Sequence, residues 1–178
     1  MTLRVLNLLT LGLVPLLGAV HGDVVSGPKD GDKVAALKVF AVTGDPKDKE
    51  VDYAELRKAK PTIYAFVSAK DFDRPMFRFL KKLDEDSPED VLVVAVWLTD
   101  DGDKSKEYLP KISQYFRRTA LAVFGEAGGP KDWAINTDAR LTAVVVQGGK
   151  AVKSFGYKSL NETDAPGVIE TVKKAIKK

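Results

Sequence analysis

The chain contains no cysteine, and its single histidine, His21, lies near the start of its 178 residues. Without sulfhydryls there is neither a disulfide nor a thiolate nucleophile. Beyond His21 there is no imidazole, which excludes Ser–His triads and the usual zinc and haem ligand sets. An excess of one charge is missing too. The 28 basic and 25 acidic residues are interleaved, with a formal net charge of +3, so neither nucleic acid nor an anionic membrane surface is an implied partner.

What is present begins with an address. Residues 1–4 form a short positive segment, and residues 5–20, VLNLLTLGLVPLLGAV, are uncharged and apolar. Val20 and Gly22 put small residues at −3 and −1 of a cleavage before Asp23. This is the layout of a secretory signal peptide. Such a run is also long enough for a membrane anchor, but Pro15, Gly18 and the small-residue exit favour cleavage. No cysteine follows to take a lipid. The expectation is a signal peptide over 1–22, one domain over 23–178, and an exported, periplasmic or secreted product with no stable membrane anchor after cleavage. Removing 1–22 from 178 residues leaves 156, with Arg4 lost and a net charge of +2. That length suits one domain burying about two-thirds of its unfolded surface.

Along that domain, LKVFAV (37–42), a turn-rich TGDPKDKE and then EVDY read as a hairpin. DYAELRKA reads as a short helix opened by Asp52. TIYAFVSA (62–69) is rich in β-branched and aromatic residues and suits a central strand. Met76, Phe79, Leu80 and Leu83 fall at i, i+3, i+4 and i+7, one face of a helix. VLVVAVWL (91–98) is apolar on both alternating faces, as in a strand covered on both sides.

The loop TDDGDKS should be capped by Asp103 or Ser105. Tyr108, Leu109, Ile112, Tyr115 and Phe116 make a helical stripe in which Pro110 should cause a kink or a second start. TALAVFG is a third apolar strand, and GGPKDWAI a turn into a short helix. LTAVVVQ, Gly-Gly and KAVKSFGY form a second hairpin. Val168, Ile169, Val172 and Ile176 line a last helix with Asp164 as its cap, and its lysines at 173, 174, 177 and 178 complement the helix dipole.

This order of elements resembles the thioredoxin-like superfamily, in its redoxin branch of peroxiredoxins and exported thiol–disulfide oxidoreductases. The stretch GDKVAALKVFAVTGDPKDKEVDYAELRKAKPTIYAF resembles the branch's entry segment, and LTAVVVQGGKAVKSFGY its closing hairpin. The resemblance implies an α/β fold: a central mixed sheet flanked by helices, with an N-terminal β-hairpin extension. It also implies that the hinge after TIYAFVSA is where the family carries its reactive cysteine. Against a C-x-x-C pattern, Asp71 and Arg74 take the cysteine positions. Against the peroxiredoxin pattern, Asp71-Phe72 matches an Asp-Phe pair and Met76 takes the peroxidatic position. The family's cis-proline falls at Leu141, where a cis bond would cost about 2.5–4 kcal/mol, so Arg140–Leu141 should be trans.

Disulfide exchange and peroxide reduction need a thiolate, which a methionine thioether does not replace. The reading is therefore of an exported, redox-inactive thioredoxin-like protein acting by binding a protein partner. Asp71, Phe72, Asp73 and Arg74 are its binding-surface candidates, Phe72 being an apolar residue in a charged loop that either meets a partner or fills the core. An enzyme using carboxylate, lysine or tyrosine chemistry or a weak metal site is the alternative, as is a structural envelope component. No catalytic residue, cofactor or metal site is assigned. DDGD (100–103) lacks the ligand spacing of a Ca²⁺ loop, GEAGGP (125–130) is not followed by the Gly-Lys-Ser/Thr of a phosphate loop, and NET at Asn161 is a sequon in an exposed loop.

Overall fold

The structure is a computed structural model describing residues 23–177. The signal segment expected over 1–22 lies outside the described residues, as does Lys178. Among the described residues no helix is long and apolar enough to cross a membrane.

Seven strands make one sheet in the order β2-β1-β5-β4-β3-β6-β7. β1 (Lys38–Ala41) and β2 (Lys49–Asp52) are the leading hairpin, which joins the sheet by antiparallel pairing of β1 with β5 (Ala120–Phe124). β3 (Thr62–Ser68), β4 (Leu92–Leu98) and β5 are parallel neighbours. β6 (Leu141–Gln147) runs antiparallel to β3, and β7 (Lys150–Tyr157) closes that edge. Only β7 of the second hairpin is an edge strand, since β6 is paired on both sides. Gly148 and Gly149 make its turn, with φ of 57° and 73°, the left-handed backbone that a two-residue hairpin loop requires.

β3 and β4 are buried on both faces, as their unbroken apolar runs demand. One face carries α2 (Arg74–Asp86), α3 (Gly102–Ser113) and α4 (Ala165–Ile176). Met76, Phe79, Leu80 and Leu83 of α2 have no exposed surface. The other face packs on α1 (Tyr53–Arg57), the N-terminal segment and Trp133. Trp133 lies 5.1 Å from both Tyr64 and Phe66. The N-terminal segment lies against β7, where the Val24 amide donates to the Gly156 carbonyl at 3.1 Å. A Cβ at Gly156 would strike the Val24 carbonyl.

Several local expectations are corrected. α3 is capped by Asp101, whose Oδ1 accepts from the Lys104 amide at 3.1 Å, not by Asp103 or Ser105. Pro110 neither breaks nor restarts α3. It falls in the last turn, where its missing N–H removes one bond of the ladder and the helix has only three residues left to run. Tyr115 and Phe116 lie past the helix end. Trp133 sits in a short 3-10 turn, Lys131–Trp133. Asp164 does hold the N-cap position of α4, without a side-chain cap bond, and the capping box belongs to the 3-10 turn Glu162–Asp164 before it, opened by Asn161. The Asn161 side chain accepts from the Thr163 amide at 2.8 Å, while Asp164 accepts from the Asn161 amide at 2.8 Å, a reciprocal arrangement. Asp52 does open α1, accepting from the Glu55 amide at 3.1 Å.

Candidate functional site

The hinge lies at the C-terminal end of the central strand β3. Residues Ala69–Asp71 make one 3-10 turn, and α2 starts at Arg74 with Asp73 as its cap. Asp73 Oδ1 accepts from the Met76 amide at 3.0 Å, and Pro75 in the first turn needs no donor there. Asp71 Oδ2 accepts from the Ser68 hydroxyl at 2.6 Å.

The four predicted surface residues are brought together but do not present themselves alike. Arg74 is exposed, whereas Asp71, Phe72 and Asp73 are half-buried. Phe72, expected as an apolar contact standing in a charged loop, packs edge to face on Trp97 at 4.9 Å and on Tyr108 at 6.3 Å. Met76 is wholly buried. The position at the helix mouth, where a thiolate would gain most from the helix dipole, is Asp73 rather than Asp71. A C-x-x-C spacing set on that cap runs from Asp73 to Met76, the residue to which the peroxiredoxin pattern also leads.

Sequence reasoning missed Arg140 as a site residue. Its amide donates to the Tyr157 carbonyl at 2.8 Å, and its carbonyl accepts from the Ser68 amide at 2.9 Å. The Arg140 backbone thereby continues the sheet beside the hinge. Its guanidinium Nη2 donates to the Asp71 carbonyl and to Asp73 Oδ2, each at 2.6 Å. Asp45–Pro46 is the only cis peptide bond among the described residues, so Arg140–Leu141 is trans, as expected. The backbone beside the hinge is crossed by an arginine that ties the hinge down. Its signal in the sequence was its place before Leu141; its partners are 67 and 69 residues away.

The electrostatics fit a fixed surface better than an acid–base centre. Partial burial would raise the Asp73 pKa, but hydrogen bonds from the Met76 amide and Arg140, with the arginine's charge, outweigh it and hold the carboxyl below its usual range. A carboxylate so stabilised is a weak base at neutral pH. Burial raises the phenols of Tyr53, Tyr64 and Tyr157, Tyr53 to about 12, so these stay protonated. Among the described residues no cluster of three or more His, Cys, Asp or Glu side chains is arranged to hold a metal ion.

No family model and no curated protein matches the chain in sequence. Solved structures do. A candidate protein disulfide isomerase from Bacteroides thetaiotaomicron superposes with a TM-score of 0.63 at 15% identity, over 87% of this chain and 96% of that one. The exposed lipoprotein thioredoxin Etrx1 of Streptococcus pneumoniae gives 0.59 at 17%, over 79% and 99%. A peroxiredoxin-like protein from Aquifex aeolicus gives 0.56 at 18%, over 85% and 90%. The fold is therefore that of the thioredoxin-like redoxins, on a chain that has no cysteine.

Proposed function

We propose that this is an exported, redox-inactive thioredoxin-like protein that acts by binding a partner protein through the hinge face around Asp71, Phe72, Asp73 and Arg74. One observation carries the reading. The junction where the resemblance puts a thiol carries none, and Arg140 clamps it. Function is argued from the site and not from the scaffold, and this site offers contact without chemistry. Export is supported by the apolar run over 5–20 and its small-residue exit; mature protein should be short by about 20–24 residues in intact mass.

The test uses mature protein as bait against an envelope extract of the exporting cell. Phe72→Ala with Arg74→Ala should weaken capture by at least about thirtyfold, since central aromatic and arginine anchors are each worth about 2 kcal/mol or more. Because Phe72 rests on Trp97, the double variant should also melt a few degrees lower while remaining folded. Arg74→Glu alone leaves that packing untouched and should weaken capture without moving the melting temperature. Full capture by both folded variants would place the binding face elsewhere.

A further inference from the structure

Beside the hinge, Phe72, Trp97 and Tyr108 floor an open cleft of about 390 Å³. Tyr108 is 39% exposed although it belongs to the apolar stripe of α3. Three polar side chains in the walls are each more than nine-tenths buried: Trp97, Thr99 and Ser105 at 2%, 8% and 8% exposure. Thr99 Oγ1 accepts from the Asp101 amide at 3.0 Å, which leaves its own proton to donate. Among the described residues no hydrogen bond engages the Trp97 indole N–H or the Ser105 hydroxyl. Trp133, by contrast, donates its indole N–H to the Ala36 carbonyl at 3.3 Å. The polar atoms sealed in without partners belong to Tyr53, Ser87, Gln147 and Tyr157. Those of Trp97 and Ser105 are not among them, and both residues line the cleft.

Lys70 and Lys104 stand exposed on the rim, and neither forms an ion pair among the described residues. Asp101 is the carboxylate in the lining, and its Oδ1 is occupied by the Lys104 amide. The lining thus carries net positive charge, with donors in excess over free acceptors, above an aromatic floor. That combination suits a carboxylate attached to a ring. The two oxygens take charge-assisted hydrogen bonds, and the ring lies edge to face on Phe72 and Tyr108.

The aromatic surface continues along α3. Tyr115, just past the end of α3, is 51% exposed and packs on Phe77 at 5.6 Å. Phe116 meets the same ring at 5.6 Å. Exposed rings at both Tyr108 and Tyr115 offer more than a small acid would cover, as a chain segment requires. We propose that the cleft receives a segment of a partner protein carrying an aspartate or glutamate beside an aromatic residue. This rests on, and deepens, the reading of the hinge as a binding face.

The probes are the acetylated, amidated peptide GDFGG, its counterpart GNFGG, and 3-phenylpropionate, each titrated against ¹⁵N-labelled mature protein. GDFGG should shift the Phe72 and Ser105 amides and the Trp97 indole saturably. GNFGG should bind at least about tenfold more weakly, the loss expected for a hydrogen bond to a charged group. Lys70→Glu with Lys104→Glu, both exposed, should weaken GDFGG by a similar factor at unchanged melting temperature. The proposal is overturned by an absence of saturable shifts at these residues, by equal binding of GDFGG and GNFGG, or by 3-phenylpropionate binding as tightly as the peptide. A silent peptide together with partner capture that depends on Arg74 would remove this inference and leave the binding reading standing.

Discussion

Helix α2 is anchored by an aspartate near each end, and the two anchors differ in kind. At its start, Asp73 caps the helix and pairs with Arg140, with its side chain 37% and that of Arg140 32% exposed. Near its end, Asp84 is 1% exposed. Its carboxylate accepts from the amides of Arg117, Arg118 and Thr119 at 2.7, 2.9 and 2.7 Å, and from the Thr119 hydroxyl at 2.7 Å. The Arg118 guanidinium adds bonds to the Asp84, Ser87 and Pro88 carbonyls. Asp84 thus stitches the helix to the strand entry of β5, in a place no partner reaches. The difference teaches where stability and contact are separated. The buried end holds the fold together, so the surface of the hinge end can vary at small cost.

The largest expected effect follows from that contrast. Asp84→Ala leaves three backbone donors and a hydroxyl without their acceptor in a dry site. It should cost about 3–5 kcal/mol, as for other broken buried networks, read from the shift in urea midpoint at constant m. Asp73→Ala should cost about 1 kcal/mol, the worth of a helix cap. Equal losses at the two positions would abolish the distinction between the ends.

The same asymmetry should appear in acid. Burial by itself would raise the Asp84 pKa. The hydrogen bonds from Arg117, Thr119 and Arg118 outweigh it and hold the group below its usual range. A carboxyl depressed in the folded state contributes stability that is fully present above its unfolded pKa of about 3.9. That contribution is lost as pH falls through the folded value, because the unfolded chain then binds the proton more readily. Wild-type protein should therefore lose stability progressively below about pH 4, while Asp84→Asn should be weaker at neutral pH with a flatter acid limb. An unchanged acid slope in Asp84→Asn would assign the acid sensitivity to other carboxylates.

How far the sequence shows all this depends on the range of the interaction. The stripe Met76, Phe79, Leu80 and Leu83, the two-sided burial of β3 and β4 and the Gly-Gly turn were legible because periodicity and turn chemistry are local. Asp84 was not, since a carboxylate after Leu83 in an amphipathic helix reads as solvated and its donors lie 33–35 residues on. Arg140 was hidden likewise, and Phe72 stayed open between core and surface because Trp97 and Tyr108 meet it only through the fold. Where several neighbouring residues can cap, as at Asp101, Asp103 and Ser105, or Asn161 and Asp164, composition leaves the choice to backbone geometry.

A smaller effect is expected of the hinge clamp. Arg140→Ala removes the ion pair with Asp73 and the bond to the Asp71 carbonyl. Both partners are about one-third exposed, so solvent screens the pair and the loss should be about 1 kcal/mol or less. Local opening should respond more than global stability. The amides of Asp71 to Met76 should exchange severalfold faster in Arg140→Ala, with those of Arg117 to Thr119 unaffected. Faster exchange at both ends of α2 would mean that the two anchors are coupled.

The smallest expected effect is none, and it tests whether the hinge end is as inert as the contrast with Asp84 implies. The chain has no sulfur except in methionine, so no disulfide can form within it and no thiolate can attack one. Asp73 and Met76, a C-x-x-C spacing counted from the helix cap, are a carboxylate already held by Arg140 and a thioether with no exposed surface. Neither transfers electrons to a disulfide. Melting curves with and without dithiothreitol should coincide, and reduction of insulin disulfides should match the blank at any protein concentration. Turnover that rises with rigorously purified protein and disappears in Asp73→Ala would return chemistry to the hinge. A reductant-dependent shift in melting temperature would instead require a bound partner that supplies the thiol, and mass spectrometry of the sample would detect it.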